Sequence, residues 1–147
     1  MRLCGQQAVW NYEEENGLLT IQGVGAMEDY TEPEQVPWNS LMQEIKVVVI
    51  RDGITTVGDY AFAGCSNLQE VTLPGSVDIV GVFSFKGCTG LREIVIPEGV
   101  RVLASKAFQF CSALKKVYLP STLIDVDMRA FGKCESLEEV FYQGSEE

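Results

Sequence analysis

Hydrophobic and polar positions along this chain repeat every 23 residues from residue 51 onward. The residues that keep this step most strictly are Phe62, Phe85, Phe108, Phe131, Cys65, Cys88, Cys111, Cys134, Leu68, Leu91, Leu114 and Leu137. Self-similarity at a fixed period is the signature of a solenoid, in which each repeat forms one coil and buries its apolar side against its neighbours. We therefore predict about four coils whose core consists of ladders of Phe on Phe, Cys on Cys and Leu on Leu.

Each coil contains a short run of apolar side chains around an outward residue, which predicts a β-strand because alternate residues of a strand face opposite sides. The runs are Val71-Thr72-Leu73, Ile94-Val95-Ile96, Val117-Tyr118-Leu119 and Val140-Phe141-Tyr142. A proline follows the first three runs and ends the strand, because it lacks a backbone donor. A second apolar pair comes after the next turn, and the segment around each ladder phenylalanine predicts a short helical or 3₁₀ turn.

The first 50 residues predict a cap for the solenoid. Segments 8–12 and 18–21 alternate around Asn16-Gly17, a pattern typical of a β-hairpin. Residues 38–50 form a degenerate half-repeat, since its strand positions lie 23 residues before those of the first coil. We expect the hairpin to close this end, with Trp10 and Trp38 buried and the acidic loop 28–34 outside the hairpin. The predicted division is therefore 1–50 for the cap and half-repeat, and 51–147 for the solenoid.

Charge and hydropathy narrow the classes of partner. The chain has 11 Lys and Arg against 21 Asp and Glu, a net charge of −10, which argues against nucleic acid and acidic membrane surfaces. No apolar run approaches the roughly 18 residues that span a bilayer, so no membrane insertion is predicted. The first residues lack the apolar stretch of a signal peptide, so either the protein stays inside the cell or a leader has been removed.

The cysteine ladder is the first candidate for chemistry. A zinc site gathers four ligands around one point, whereas these cysteines form a line with one per coil. Parallel side chains hold neighbouring Cβ atoms about a coil spacing apart, beyond the ~3.8 Å that a disulfide needs. We therefore predict buried free thiols that act as small apolar side chains, with no metal and no cofactor. Cys4 is separate, and we expect it to be exposed or at the hairpin edge.

Other signals for catalysis are weak. The sequence contains no histidine, which excludes Ser-His-Asp and Cys-His sites. We interpret the adjacent acids Glu138 and Glu139, and those at 13–15, as solvated faces. Gly23 and Gly25 alone do not make the glycine-rich motif of a phosphate-binding loop. Segment 28–34 contains only part of the residue pattern of a calcium-binding loop. We predict no catalytic residues and no enzyme.

The pattern AFxxCxxLxxVxLP at 61–74 and 107–120 resembles the BspA-type leucine-rich repeat, and segments 4–10, 18–27 and 37–38 resemble the module that precedes it. The resemblance implies a right-handed α/β solenoid, mostly β, from an exported or surface-attached bacterial protein that functions in adhesion and protein binding. Ser84 departs from the pattern by replacing an alanine. The fourth coil ends Tyr142-Gln143-Gly144 without the proline, where family members often continue, so we interpret the end at Glu147 as a truncation or a minimal cap.

The outward strand positions predict the ligand-binding surface. Stacked in order they are Val49, Thr72, Val95, Tyr118 and Phe141, and this column becomes more aromatic toward the C-terminus. Exposed aromatic side chains are effective anchors for a partner, so the candidate residues for a protein or glycan ligand are Val95, Tyr118, Phe141, Arg92 and Lys116. Ordinary β-propensity at a strand centre explains the same residues equally well. Lys116 is predicted to lie between Glu93 and Glu139.

A second apolar patch consists of Ile79, Phe83 and Val102, where other coils carry polar residues or tyrosine. It predicts a self-association surface, unless Phe83 folds over its own coil. The residues indicate a non-enzymatic binding module, and the resemblance implies an adhesion role at the cell surface or outside the cell. The alternative is a structural spacer or self-assembling scaffold with no ligand of its own.

Overall fold

Strands occupy the predicted apolar runs and stack in parallel from one coil to the next. The computed structural model describes residues 2–127 and 129–143. In chain order its strands are β1 (Ala8–Glu13), β2 (Leu18–Gly23), β3 (Gly25–Ala26), β4 (Val47–Ile50), β5 (Ile54–Val57), β6 (Glu70–Thr72), β7 (Ile79–Val80), β8 (Glu93–Val95), β9 (Val102–Leu103), β10 (Lys116–Leu119), β11 (Asp125–Val126) and β12 (Glu139–Tyr142). The fold is a β-solenoid of about four turns with almost no helix, and the 23-residue repeat predicted the solenoid.

One side of the solenoid is formed by the predicted strands. They make a sheet in the order β1-β2-β4-β6 and a second sheet in the order β12-β10-β8. Tyr118 pairs with Val95 on one side and with Phe141 on the other, so the register between coils is the 23-residue step of the sequence. We refer to this side, with its outward residues, as the sheet face.

The opposite side is a second parallel sheet that the sequence did not reveal. Its five strands lie in the order β11-β9-β7-β5-β3. Four of them end at the second residue of the apolar pair predicted after each turn, at Val57, Val80, Leu103 and Val126, and Val80 pairs with Leu103. The pairs were expected only to follow a turn, because two or three residues are too few to show an alternating pattern.

The cap continues both sheets of the solenoid. Strands β1 and β2 form the predicted antiparallel hairpin, and β2 then pairs in parallel with β4 of the half-repeat. The acidic segment folds back over the hairpin edge, where the Glu28 N–H donates to the Cys4 carbonyl. It runs along the second sheet, where β3 pairs with β5, Met27 and Tyr30 are buried, and the Tyr30 N–H donates to the Asp59 carbonyl at 3.1 Å.

The aromatic ladder forms the centre of the core. Phe62, Phe85, Phe108 and Phe131 stack with ring centroids 5.1 to 5.3 Å apart. Trp38 begins the ladder, since its ring stacks on Phe62 at 5.5 Å and its Nε1–H donates to the Ala61 carbonyl at 2.8 Å. Trp38 is buried as predicted, whereas Trp10 is only half-buried and contacts Trp38 edge-on at 5.6 Å.

The segments around the ladder phenylalanines, predicted as short helical or 3₁₀ turns, are turns whose local N–H groups bond to the carbonyl three residues earlier without forming a regular helix. Their N–H groups alternate between local and inter-coil acceptors: Phe62 donates to Ser84 of the next coil at 2.7 Å, and Cys65 donates to Phe62 at 3.2 Å. A helix needs every donor within its own segment, so this sharing prevents one from forming. The 3₁₀ helices of the described residues lie in the cap, at Pro33–Gln35 and Asn39–Leu41.

In the fourth coil, inward-facing side chains are exposed at positions whose equivalents in other coils are buried. Val140 and Tyr142 are 54% and 47% exposed, whereas Ile94, at the position equivalent to Val140, is 1% exposed. Gly144, and with it the predicted closing segment, lies outside the described residues. Among the residues described, no helix is long and apolar enough to cross a membrane.

Ser84 is a polar residue within the core. It is fully buried, and its hydroxyl has no hydrogen-bond partner among the described residues. The three equivalent positions are Ala61, Ala107 and Ala130, and all are fully buried. Burying an unsatisfied hydroxyl costs about 1 to 3 kcal/mol.

Replacing Ser84 by alanine is expected to raise the free energy of unfolding by about 1 kcal/mol or more, because the orphan hydroxyl is removed and the site fits alanine. Urea denaturation of the two proteins measures the difference. Ala107→Ser is the reciprocal variant and should lower stability by a similar amount. A loss of stability in Ser84→Ala would show that the hydroxyl has a favourable partner.

Candidate functional site

The candidate ligand-binding residues lie together on the sheet face. Val95, Tyr118 and Phe141 occupy paired positions of three consecutive strands. Val95 is 51% exposed and Phe141 is 38% exposed, while Tyr118 is half-buried between them. The Tyr118 and Phe141 rings stack with centroids 4.8 Å apart and planes 14° from parallel. The column therefore presents a continuous apolar and aromatic strip to solvent.

Charged side chains flank this strip. Lys116 lies on the same face as Tyr118, two residues away along β10, and its strand partners are Glu93 and Glu139, as predicted. The structure forms no ion pair between them, and the ion pair that the described residues contain is Arg101 with Asp78, 3.7 Å apart and exposed. The Lys116 ammonium is consequently available to a ligand.

Arg92 lies where the hydrogen-bonded sheet is interrupted. Strands β6 and β8 are neighbours in the stack but belong to separate hydrogen-bonded sheets. A hollow of about 420 Å³ marks this interruption and is lined in part by Glu70, Thr72, Arg92 and Val95. Arg92 is exposed at the edge of this hollow. It therefore lies beside Val95, as we expect if the two residues share a site.

A second hollow adjoins the aromatic strip and was not foreseen. It has a volume of about 250 Å³ and is lined mainly by Val95, Pro97, Tyr118, Pro120 and Glu98. The Ser121 backbone N–H and hydroxyl both donate to the Glu98 carboxylate, at 2.9 and 2.8 Å, and these hydrogen bonds lower the pKa of Glu98 below its usual value. The signal in the sequence was the proline after each strand, which was interpreted only as a strand terminator.

The cysteine ladder is structural, and the prediction of buried free thiols is confirmed for Cys65, Cys88 and Cys111. Cys134 is also a free thiol but is only partly buried. The thiols do more than fill space, since each of the last three donates to the carbonyl of a phenylalanine in the preceding coil. These bonds are Cys88 to Phe62 at 3.3 Å, Cys111 to Phe85 at 3.2 Å and Cys134 to Phe108 at 3.1 Å.

The environment of these thiols makes them poor nucleophiles. Burial raises the pKa of Cys65 to about 12 and also raises the pKa of Cys88. The thiolate is the reactive form of cysteine, and a raised pKa removes it at neutral pH. In the part of the chain that the structure describes, no group of three or more Cys, Asp or Glu side chains is arranged to hold a metal ion.

Cys4 lies at the hairpin edge, one of its two expected positions, and it is buried there and not exposed. It is 1% exposed, and its N–H donates to the Ala8 carbonyl at 2.9 Å, beside the bridge between Leu3 and Val9 at the hairpin edge. Burial raises its pKa to about 12, and the charge of Glu28 acts in the same direction. The thiol is buried because β3 and the acidic segment fold back over this edge.

The second predicted patch is divided between a strand pair and a turn. Ile79 pairs with Val102 on the second sheet and is 37% exposed. Phe83 lies in the turn that follows β7, where its ring packs 5.0 Å from the Tyr60 ring of the preceding coil. Self-association through Ile79, Phe83 and Val102 stays a prediction.

Comparison with known families matches residues 40–147 to the BspA type leucine rich repeat region, in six copies. A search of curated proteins found no match. Among solved structures, the chain is similar to a leucine-rich repeat protein from Eubacterium ventriosum, at 24% identity and a TM-score of 0.72, over 95% of this chain and 43% of that one. It is also similar to a leucine rich cell surface protein from Faecalibacterium prausnitzii, at 22% identity and a TM-score of 0.77, over 97% of this chain and 40% of that one.

The Treponema pallidum leucine rich repeat protein is a third neighbour, at 18% identity and a TM-score of 0.70, over 95% of this chain and 71% of that one. The chain thus spans about two fifths of the length of the first two structures. At these identities the likeness concerns the fold alone. The repeat match covers most of the chain and agrees with the 23-residue register of strands and ladders. This chain belongs to the BspA-type leucine-rich repeat family.

Proposed function

We propose that the chain is a non-enzymatic binding or adhesion module of a bacterial cell-surface or secreted protein, and that it engages a protein or glycan ligand through the sheet face. The observation that carries this proposal is the stacked, solvent-exposed pair Tyr118 and Phe141 beside Val95. Aromatic anchors at the centre of an exposed patch supply most of the binding energy of typical interfaces.

The surroundings of the pair support the same function. The proline-lined hollow beside Tyr118 offers a concave surface into which a ligand group fits. Lys116 has no ion-pair partner among the described residues, and together with Arg92 it adds donors for carboxylate or hydroxyl groups. An apolar centre with a polar rim is the usual anatomy of a binding patch.

The cellular location is part of the proposal. One structural neighbour is described as a leucine rich cell surface protein, and the family resemblance implies the same compartment. We infer that this chain acts outside the cytoplasm, where an adhesion surface meets its ligand.

Replacing Tyr118 and Phe141 together by serine is expected to weaken ligand binding by at least about 100-fold, because each anchor of this kind contributes about 2 kcal/mol or more. The measurement uses the labelled chain on an array of glycans and on immobilised extracellular-matrix proteins, followed by affinity determination for each component bound. Thermal denaturation of the variant confirms that it is folded.

The matched control is Phe110→Ser, which removes an aromatic ring that is 45% exposed outside the sheet face. Binding by the control should equal that of the unchanged chain. Equal binding by the Tyr118 and Phe141 variant would show that the strip is an ordinary strand surface. A chain that binds no component of either array would favour the spacer or scaffold alternative.

A further inference from the structure

A cleft lies between the cap and the turns of the first two coils. Its volume is about 540 Å³. Most of its lining surface is apolar, and its polar side chains come from Asn39, Ser40, Gln43, Tyr60 and Lys86. A mostly apolar concavity of this size with a few polar groups is typical of a binding site. The repeat pattern does not indicate it, because Pro33 in its wall belongs to the part of the cap before the half-repeat and has no equivalent in the coils.

Two glycines keep this cleft open. Positions 64, 87, 110 and 133 are equivalent in the 23-residue register and hold Gly, Gly, Phe and Lys. All four have a left-handed backbone, with φ of 83°, 74°, 62° and 61° in that order. A Cβ atom added to Gly64 would meet nothing within 4 Å, and at Gly87 the nearest atoms would be 3.9 Å away.

The glycines are therefore not required by the turn itself. Phe110 and Lys133 show that the same backbone accepts large side chains in this protein. In the first two coils, the absence of a side chain leaves backbone exposed at the wall of the cleft. The position is thus empty where the cleft exists and filled in the coils farther from the cap.

Charge is distributed unequally around the cleft. On the side of the coils, Lys86 lines the cleft, and the Lys106 ammonium lies near it, since the two groups are 5.0 and 5.4 Å from the centroid of the same Phe83 ring. On the side of the cap, Glu32 and Glu34 flank Pro33 and are exposed.

We propose that this cleft binds a peptide segment of another protein through one large apolar side chain, with acidic residues on one side of that anchor. The anchor occupies the space beside Tyr60, Met42 and the two glycines. Its acidic neighbours lie toward Lys86, and the opposite flank of the peptide, which faces Glu32 and Glu34, carries no acid.

The apolar lining favours this occupant over a sugar. A glycan needs many hydrogen bonds to replace those it makes with water, since a buried polar group without a partner is costly. An aliphatic or aromatic side chain needs none. This site is separate from the sheet face and does not depend on the function proposed for it.

The test begins with phage-displayed random peptides selected on the immobilised chain and counter-selected on the Gly64→Phe variant, which fills the cleft. Phe110 shows that this backbone tolerates phenylalanine, so the variant is expected to fold, and circular dichroism checks this. The selected peptides are expected to contain a large apolar residue with Asp or Glu on one side. Enrichment of basic peptides, or no enrichment, would overturn the proposal.

Synthetic copies of the selected peptides are then measured by calorimetry. Gly64→Phe should lower affinity at least about 30-fold, and Lys86→Glu at least about 10-fold, with a larger effect at low salt. Phe110→Gly is the matched control and should bind as the unchanged chain does. Equal affinity of the Gly64→Phe variant, or binding of acidic glycans that is lost in that variant, would refute a peptide occupant.

Discussion

Replacing Phe85 by alanine is expected to lower the free energy of unfolding by about 3 to 5 kcal/mol. Phe85 is fully buried and stacks on Phe62 at 5.2 Å and on Phe108 at 5.1 Å. Removal of the ring loses its transfer free energy and leaves a cavity between two rings that the parallel strands hold in place. The free energy of unfolding of a typical domain is about 5 to 15 kcal/mol, and we expect a value in this range here. The loss is therefore a large share of the total stability.

Urea denaturation followed by tryptophan fluorescence measures this effect, since Trp38 belongs to the same ladder. Phe110→Ala is the matched control, because that ring is 45% exposed, and it should cost less than about 1 kcal/mol. A cost for Phe85→Ala that is no larger than that of the control would show that the ladder is not the source of stability.

Raising the pH above 9 is expected to destabilise the fold steeply. Burial raises the pKa of Cys4 and Cys65 from 9.0 to about 12 and also raises the pKa of Cys88. Above pH 9 these thiols ionise in the unfolded chain while they stay neutral in the folded one, so the stability present below pH 9 is lost as the pH rises. Ionisation of each thiol lowers the free energy of unfolding by up to about 1.4 kcal/mol per pH unit, and the three thiols together lower it by about 3 to 4 kcal/mol per pH unit.

The measurement is the free energy of unfolding in urea at intervals between pH 7 and 10, under reducing conditions. Cys88→Ala removes one of the thiols and should reduce the slope above pH 9 by about 1.4 kcal/mol per pH unit at most. Its stability at pH 7 is a separate quantity, because the variant also removes the thiol donor to the Phe62 carbonyl. A slope equal to that of the unchanged chain would contradict the ionisation of buried thiols as the cause.

The regular parts of the fold could be predicted because every coil repeats the same local choices. Phe85 and Cys88 are buried for the same reasons as Phe62 and Cys65, and a strand at one period implies a strand at the next. The pairing of Tyr118 with Phe141 follows from the same step. The position of the candidate sheet-face residues was therefore as predictable as the core.

The features that escaped prediction are those without a period or with too few residues. The second sheet consists mostly of strands of two residues, such as β7, which show no alternation. The burial of Cys4 depends on how the acidic segment folds back over the hairpin. The thiol bond from Cys88 to Phe62 spans two coils and depends on side-chain direction, which the repeat pattern does not specify.

The cleft was not predictable for a related reason. Gly64 and Phe110 are equivalent in the repeat, and the sequence alone does not show which of them faces an empty space. That distinction comes from the 3₁₀ segment of the cap, including Asn39–Leu41, which lies beside the first two coils. Binding surfaces at the junction of a cap and a repeat array require the packing of unlike elements to be known.

The thiol-to-carbonyl bonds restrict which insertions and deletions the fold tolerates to whole coils. Cys88, Cys111 and Cys134 each donate to a carbonyl 26 residues earlier, and the strands pair at a separation of 23. Duplication of one whole coil in the gene leaves both separations intact on either side of the new copy. Loss or gain of a single residue alters both at once, so the length of such a protein evolves in whole coils.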